Sequence, residues 1–337
     1  MKIKTAVLLV LVAAMPALAQ KVWKVERTIH VGGAGGWDYI TADPQSHHLY
    51  VTRSTHTMVI DPESGKVLAD IPGQQRSHGM ALAPNAGRGF ISDGGGSGAI
   101  LIFDLKTNQV LGTVPAQPDA DGIIFDPSTG LVLTVAGDSG TLLTLKADAD
   151  PKTAKIDAPI ELGGKPEFLA ADGKGKAYIN LEDKDEVVVV DLGARKVVSR
   201  WPSAPGGAPV GMAMDTKNRR LFVGCRKPQK LVVMNADNGK VLADLPIGAG
   251  VDATKFDDGA AFASTGDGAL TVAAETSTGK FDVIQSVQTA RGARTMTVDS
   301  STHKIYLPTA EFEPQPAGAT GRPTPKPDSF MIVVVSQ

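Results

Sequence analysis

Short apolar runs separated by turn residues fill the chain from about residue 22 to its end. The stretch Leu49 to Gly73, LYVTRSTHTMVIDPESGKVLADIPG, is the clearest case. LYVT and MVI are short runs with β-branched residues, which suit a pleated, half-buried surface. DPESGK is turn chemistry, and VLADIP is a third run. The pattern predicts strand, loop, strand, tight turn, strand. Such a unit is not stable alone, so its neighbours must bury it. No sustained helical period follows the N-terminal segment.

The unit recurs. Asp43, Ala83, Asp126, Asp172, Asp215, Asp257 and Asp299 each close a short run: DYITAD, HGMALA, DGIIFD, EFLAAD, VGMAMD, DATKFD and RTMTVD. After each anchor come a turn and a strand carrying a large residue: Tyr50, Phe90, Leu133, Tyr178, Phe222, Phe262 and Tyr306. Aromatics make up only 5% of the chain, so their return in one column implies a repeated packing job between neighbouring sheets. AILIFDLKTNQVLGTVP, EVVVVDLGARKVVSRWP and KLVVMNADNGKVLADLP repeat the outer strands, and TLLTLKADADPKTAKIDAPIEL and LTVAAETSTGKFDVIQSV are looser copies. Four strands every ~40–45 residues predict an all-β fold, a β-propeller of four-stranded antiparallel blades. Seven anchors predict seven blades. The last repeat stops at FMIVVVSQ, one strand short, and VWKVERTIHVGG at Val22 to Gly33 is the expected closing strand. Closure would remove an edge that otherwise invites aggregation. The Pro- and Gly-rich segment 308–329 interrupts the seventh repeat and reads as a long loop, a lid or a surface insertion.

The first residues, MKIKTAVLLVLVAAMPALAQ, carry a basic start, an apolar run and Ala17-Leu18-Ala19. They read as a secretory signal peptide over 1–19, leaving 20–337 as one propeller domain in the periplasm or outside the cell. The apolar run is too short for a spanning helix. Cys225 is the single cysteine, so no internal disulfide is expected, and its apolar run LFVGC predicts a buried, inert thiol. A C-x-x-C-H haem motif is absent. A net charge of −2 argues against bulk binding of nucleic acid or anionic membrane.

LYVTRSTHTMVIDPESGKVLADIP resembles the repeat unit of the YVTN-type β-propeller family, and GAPVGMAMDTKNRRLFVG resembles its blade junction. Repeats three, six and seven depart from that pattern. The resemblance implies an exported seven-bladed propeller and transfers no catalytic motif.

Five residues before each anchor, the inner strand should open onto the mouth of a central channel. That column reads Asp38, His78, Asp121, Glu167, Val210, Asp252 and Arg294, ionisable in all but one repeat. The next column contains Gly79, Gly122 and Gly211, which would permit close backbone approach. Four carboxylates on one axis raise one another's pKa and need a counter-charge. Arg294, a protonated His78, a cationic ligand or a divalent metal could supply it. Oxygen donors with one imidazole suit calcium, magnesium or manganese. Otherwise no cofactor is expected. Loops on the same face bring Arg53, His56, Asp93, Glu182, Asp183, Arg226 and Lys227, and Trp37 stands near the mouth to stack on a ligand. SDGGGSG at Ser92 to Gly98 reads as a hairpin loop, not a phosphate cradle, and His47-His48 lie on the opposite face. No serine sits in a nucleophile elbow to work with His78. The readings are a binding or scaffold protein for a small molecule or periplasmic protein, a metal-assisted hydrolase of lactone or ester type, and an accessory subunit of a periplasmic redox enzyme.

Overall fold

The computed structural model describes residues 22–316 and 323–337. The expected signal peptide lies outside them. The described residues form an all-β propeller; apart from a 3-10 turn at Pro84–Ala86 no helix is present among them. None is long and apolar enough to cross a membrane.

Five sheets are four-stranded and antiparallel, each built from one of repeats three to seven. Seven separate four-stranded blades were expected, and the structure corrects this. Repeats one and two share a single seven-stranded sheet. The cause is one continuous strand, Val67–Ala83, which serves as the outer strand of repeat one and then the inner strand of repeat two. It pairs with Ser54–Ile60 on one side and Arg88–Asp93 on the other, and Ser77 faces both Ser54 and Asp93.

The ring closes as the two chain ends predict. Strand Lys24–His30 lies antiparallel to Met331–Ser336, from Lys24 opposite Ser336 to His30 opposite Met331. Trp23 and Ile29 enter two different apolar clusters, and Trp23 meets Phe262 edge-on at 4.9 Å.

The core is distributed between sheets. Each large residue of the repeated column is at most 2% exposed and sits in a cluster with the following repeat. Tyr50 packs with Met80 and Ile91. Phe90 packs with Ile123 and Val132, and Leu133 with Leu169 and Ile179. Tyr178 packs with Met212 and Leu221, and Phe222 with Val251 and Ala263. Phe262 packs with Met296 and Leu307, and Tyr306 with Ile40 and Val51. The anchor aspartates do a local job. Asp43, Asp126, Asp172 and Asp299 each accept the backbone N–H two residues on, and Asp215 the one three residues on, holding the turn into the second strand.

The base of segment 308–329 is ordered, contrary to a wholly irregular loop. Glu313 N–H donates to Thr324 O and Lys326 N–H to Glu311 O, making a short two-stranded ribbon with Phe312 opposite Pro325. Residues 317–322 are outside the description.

Candidate functional site: the channel mouth

The repeated register puts the mouth residue of five repeats inside a β-bulge. His78 falls between Ser77 and Met80, Asp121 between Ala120 and Ile123, and Glu167 between Pro166 and Leu169. Val210 falls between Pro209 and Gly211, and Asp252 between Val251 and Ala253. A bulge bends the strand and re-aims the side chain, here at the strand end that opens on the channel.

Polar side chains of the second strands hold the backbone of the mouth residues from behind. Thr52 donates to His78 O at 2.7 Å and Ser92 to Asp121 O at 2.5 Å. Asn180 donates to Val210 O at 2.9 Å and Ser264 to Arg294 O at 2.5 Å. Each stands two residues after the large residue of its strand and reaches the next repeat. The sequence reading missed this column; its signal was a hydroxyl or amide in an otherwise apolar run. The glycine column does what its position suggested. A Cβ on Gly122 would lie 2.6 Å from Glu167 O, and one on Gly211 2.8 Å from Thr254 N.

The mouth carries its own counter-charges. On one side His78 Nδ1 is 2.7 Å from Asp38 Oδ2 and 3.6 Å from Asp121 Oδ1. Burial disfavours the imidazolium, but the Asp38 hydrogen bond and the Asp121 and Asp38 charges outweigh it and raise His78 to about 9. Burial pushes Asp121 up to about 8; His78 opposes this, while Asp38 and Glu167 add to it. On the other side Asp252 receives Arg226 at 2.8 Å and Arg294 at 2.6 Å. Arg226 also meets Glu182 at 3.0 Å, and Lys165 bridges Glu167 at 3.1 Å and Glu182 at 3.5 Å. Burial and the neighbouring Glu182 push Glu167 up to about 7, against the pull of Lys165. Lys165 was not anticipated. Val210 is buried and apolar and adds no charge.

Two expected contacts stand differently. Arg53 is not at the mouth surface: it is 0% exposed. Its guanidinium donates to the carbonyls of Gly32, Gly33, Ala34, Gly35 and Gly36, and lies 4.0 Å over the Phe330 ring. It is a bolt for the loop that leads into Trp37 and Asp38. Asp93 is likewise buried, accepting the N–H groups of Gln75, Arg76 and Gly95. His56 lies 3.6 Å from Asp70, and Asp183 accepts the Lys165 N–H. Cys225 is wholly buried, which pushes its thiol up to about 12. His47 pairs with Asp299 at 3.1 Å, away from His78.

Beneath the mouth, Tyr39 crosses the channel. Its ring stacks on Phe168 of repeat four at 5.1 Å and 17°, and its hydroxyl donates to Asp252 O of repeat six at 3.2 Å. Beside the mouth, the ribbon of repeat seven forms one wall of a cleft of about 360 Å³ lined by Trp37, Arg291, Arg294, Phe312, Pro323 and Pro325. Trp37 lies 6.2 Å from Phe312 and 5.5 Å from Phe330.

Sheets packed face to face around a channel, with charged inner-strand residues at its mouth, define the class: a β-propeller. No family profile matches the chain. It is similar to YncE, described as an uncharacterized protein. The match to YncE of Escherichia coli O157:H7 is 24% identical over 161 residues, 43% of this chain and 44% of YncE. That to YncE of Salmonella typhi is 24% over 164 residues, covering 44% and 45%. The match therefore spans less than half the length of these curated relatives. Among solved structures, the RRP9 WD40 repeats superpose with a TM-score of 0.77 at 12% identity, covering 94% of this chain and 100% of that one. Kuenenia stuttgartiensis hydrazine synthase superposes with a TM-score of 0.67 at 12% identity, covering 86% and 95%. At that identity the likeness is one of fold.

Proposed function

We propose that this protein is an exported, sevenfold propeller of the YVTN type that binds an acidic ligand with an aromatic or apolar part at the channel mouth. The reading counts each repeat as one blade, with the shared sheet as two. Export rests on the N-terminal residues 1–19, and the periplasm is the compartment they address.

One observation carries the binding reading: the cleft beside the mouth sets two aromatic rings, Trp37 and Phe312, against two guanidiniums, Arg291 and Arg294. Aromatic faces and planar guanidinium forks are the groups that hold a flat ring and a carboxylate together. Arg294 spends its Nε on Asp252 and Arg291 one Nη on Gln315, so both keep further donors. The acids of the mouth are neutralised by their own partners, which leaves the arginine-lined side to attract an anion. The loop that Arg53 holds leads straight into Trp37 and so supports such a cleft at low ordering cost.

The competing reading is metal-assisted hydrolysis. Ligand atoms of Asp38, His78 and Asp121 lie within 4.8 Å of one another, close enough for a divalent ion. The donor set fits poorly. His78 Nδ1 already bonds to Asp38, and the raised His78 makes the imidazolium the resident cation. A metal-bound imidazole normally donates its other N–H to a partner. His78 Nε2 is buried with no such partner among the described residues. The redox-subunit reading has only the fold behind it.

The test is calorimetric titration with N-acetyl-aspartyl-phenylalanine, a dianionic aromatic probe. It is expected to bind, and the double variant Trp37→Ala, Arg291→Gln should weaken it by about tenfold or more, as for losing a charged hydrogen bond and a stacking face. Equal binding by wild type and variant, or binding of calcium or manganese instead of the peptide, contradicts the reading.

A further inference from the structure

A second compartment lies on the other side of the Tyr39–Phe168 stack. It is a cavity of about 340 Å³ lined by the inner strands, with Tyr39 and Phe168 at one end and Pro44 and Pro84 among the residues at the other. Its wall is largely apolar, including Met80, Leu82, Ile123 and Phe125.

One position of the repeat stands out in this wall. Three residues after the mouth position the column reads Thr41, Ala81, Ile124, Ala170, Ala213, Lys255 and Thr297. Six of these are small or uncharged, and Lys255 is the one ionisable side chain. The hydroxyls are occupied: Thr41 donates to Met80 O, and Thr297 accepts from Ala42 N–H. The ammonium of Lys255 lies 5.3 Å from the centre of the Phe168 ring, and among the described residues it has no hydrogen-bond or ion-pair partner. The side chain is partly buried and lines the cavity. Asp43 is the one acid in the lining, two residues further along its strand than the Lys255 column, and its carboxylate is held by Gln45 N–H and the Ser46 hydroxyl.

A partly buried cation against an apolar wall is costly without a partner, and an anion that enters relieves the cost. The same enclosure rewards an apolar body on that anion. Burial alone lowers Lys255 to about 8, still charged for the most part at neutral pH. We infer that the chamber beneath the Tyr39–Phe168 stack is a binding site for a small apolar monocarboxylate, whose carboxylate pairs with Lys255 while its ring or chain fills the apolar wall. This site is separate from the mouth cleft: the two share no lining residue.

The experiment is calorimetric titration of the whole protein with benzoate, and with benzyl alcohol as the uncharged control. Wild type should bind benzoate, and Lys255→Met should weaken that binding by about tenfold or more, the size expected for losing a hydrogen bond to a charged group. Benzyl alcohol should bind more weakly and equally to both. Both comparisons are made in the Trp37→Ala, Arg291→Gln background, where the mouth cleft is weakened, so that lysine-dependent benzoate binding there reports on this site and separates its failure from failure of the mouth cleft. If Lys255→Met does not fold, Lys255→Gln carries the same comparison. In that background, benzoate binding that survives loss of the lysine, or no benzoate binding while the lysine is present, overturns the inference.

Discussion

Replacing Arg53 by methionine is expected to destabilise the protein by about 2–4 kcal/mol, from unmade hydrogen bonds to charged donors and an unfilled interior. The five carbonyls of Gly32 to Gly36 all point at one guanidinium. No other side chain can copy this planar fork; Arg53→Lys should recover only part of the loss. Among the described residues no carboxylate forms an ion pair with it, and burial, only partly offset by the Asp70 charge, lowers Arg53 to about 10. Such a group is kept only where many dipoles converge on it. Because the same loop runs directly into Trp37 and Asp38, the variant should also lose the acidic peptide. Urea unfolding and calorimetry on Arg53→Met measure both effects. Unchanged stability would mean that the loop holds its path without the arginine.

Deleting residues 22–30 should have the larger effect. It removes the partner of Met331–Ser336 along its whole length and takes Trp23 and Ile29 out of their clusters. Trp23 also exchanges two hydrogen bonds with Gln285 of repeat six, so the strand ties three repeats together. What remains is an apolar edge, MIVVVS, open to pairing with another chain. The expected result by size-exclusion chromatography is aggregation in place of the discrete species of the full chain, with a broad unfolding transition. A soluble species that unfolds as the full chain does would show that the ends do not lock the ring.

Much of this was legible in the sequence, and the reason is periodicity. A column of large residues at one offset could only be packing between sheets, and Tyr50 to Tyr306 are buried there. That Asp38, His78 and Asp121 meet, and that Asp252 and Arg294 meet, could be suspected from ionisable residues recurring at one offset. What escaped depends on where a side chain turns. Arg53 was placed beside Arg226 as a loop residue. Yet its own column, three after the large residue, contains Ala136, Leu181, Cys225, Thr265 and Thr309, all fully buried. An arginine at that offset had to be interior. The shared sheet escaped because PGQQRS reads as turn chemistry, whereas its backbone continues as strand from Val67 to Ala83. The cleft escaped because a Pro- and Gly-rich composition hides the ribbon that presents Phe312. Lys255 was visible only after the mouth column had been shifted by three.

On the proposed reading the mouth neutralises itself, and His78 holds a proton between Asp38 and Asp121 in place of a metal. Nitrogen-15 chemical shifts of the His78 ring, followed across pH on the intact protein, address it directly. The expected result is an imidazolium with both ring nitrogens protonated at neutral pH, losing its proton at about 9. A neutral, single-tautomer imidazole at neutral pH, shifting on addition of calcium or manganese, would contradict it.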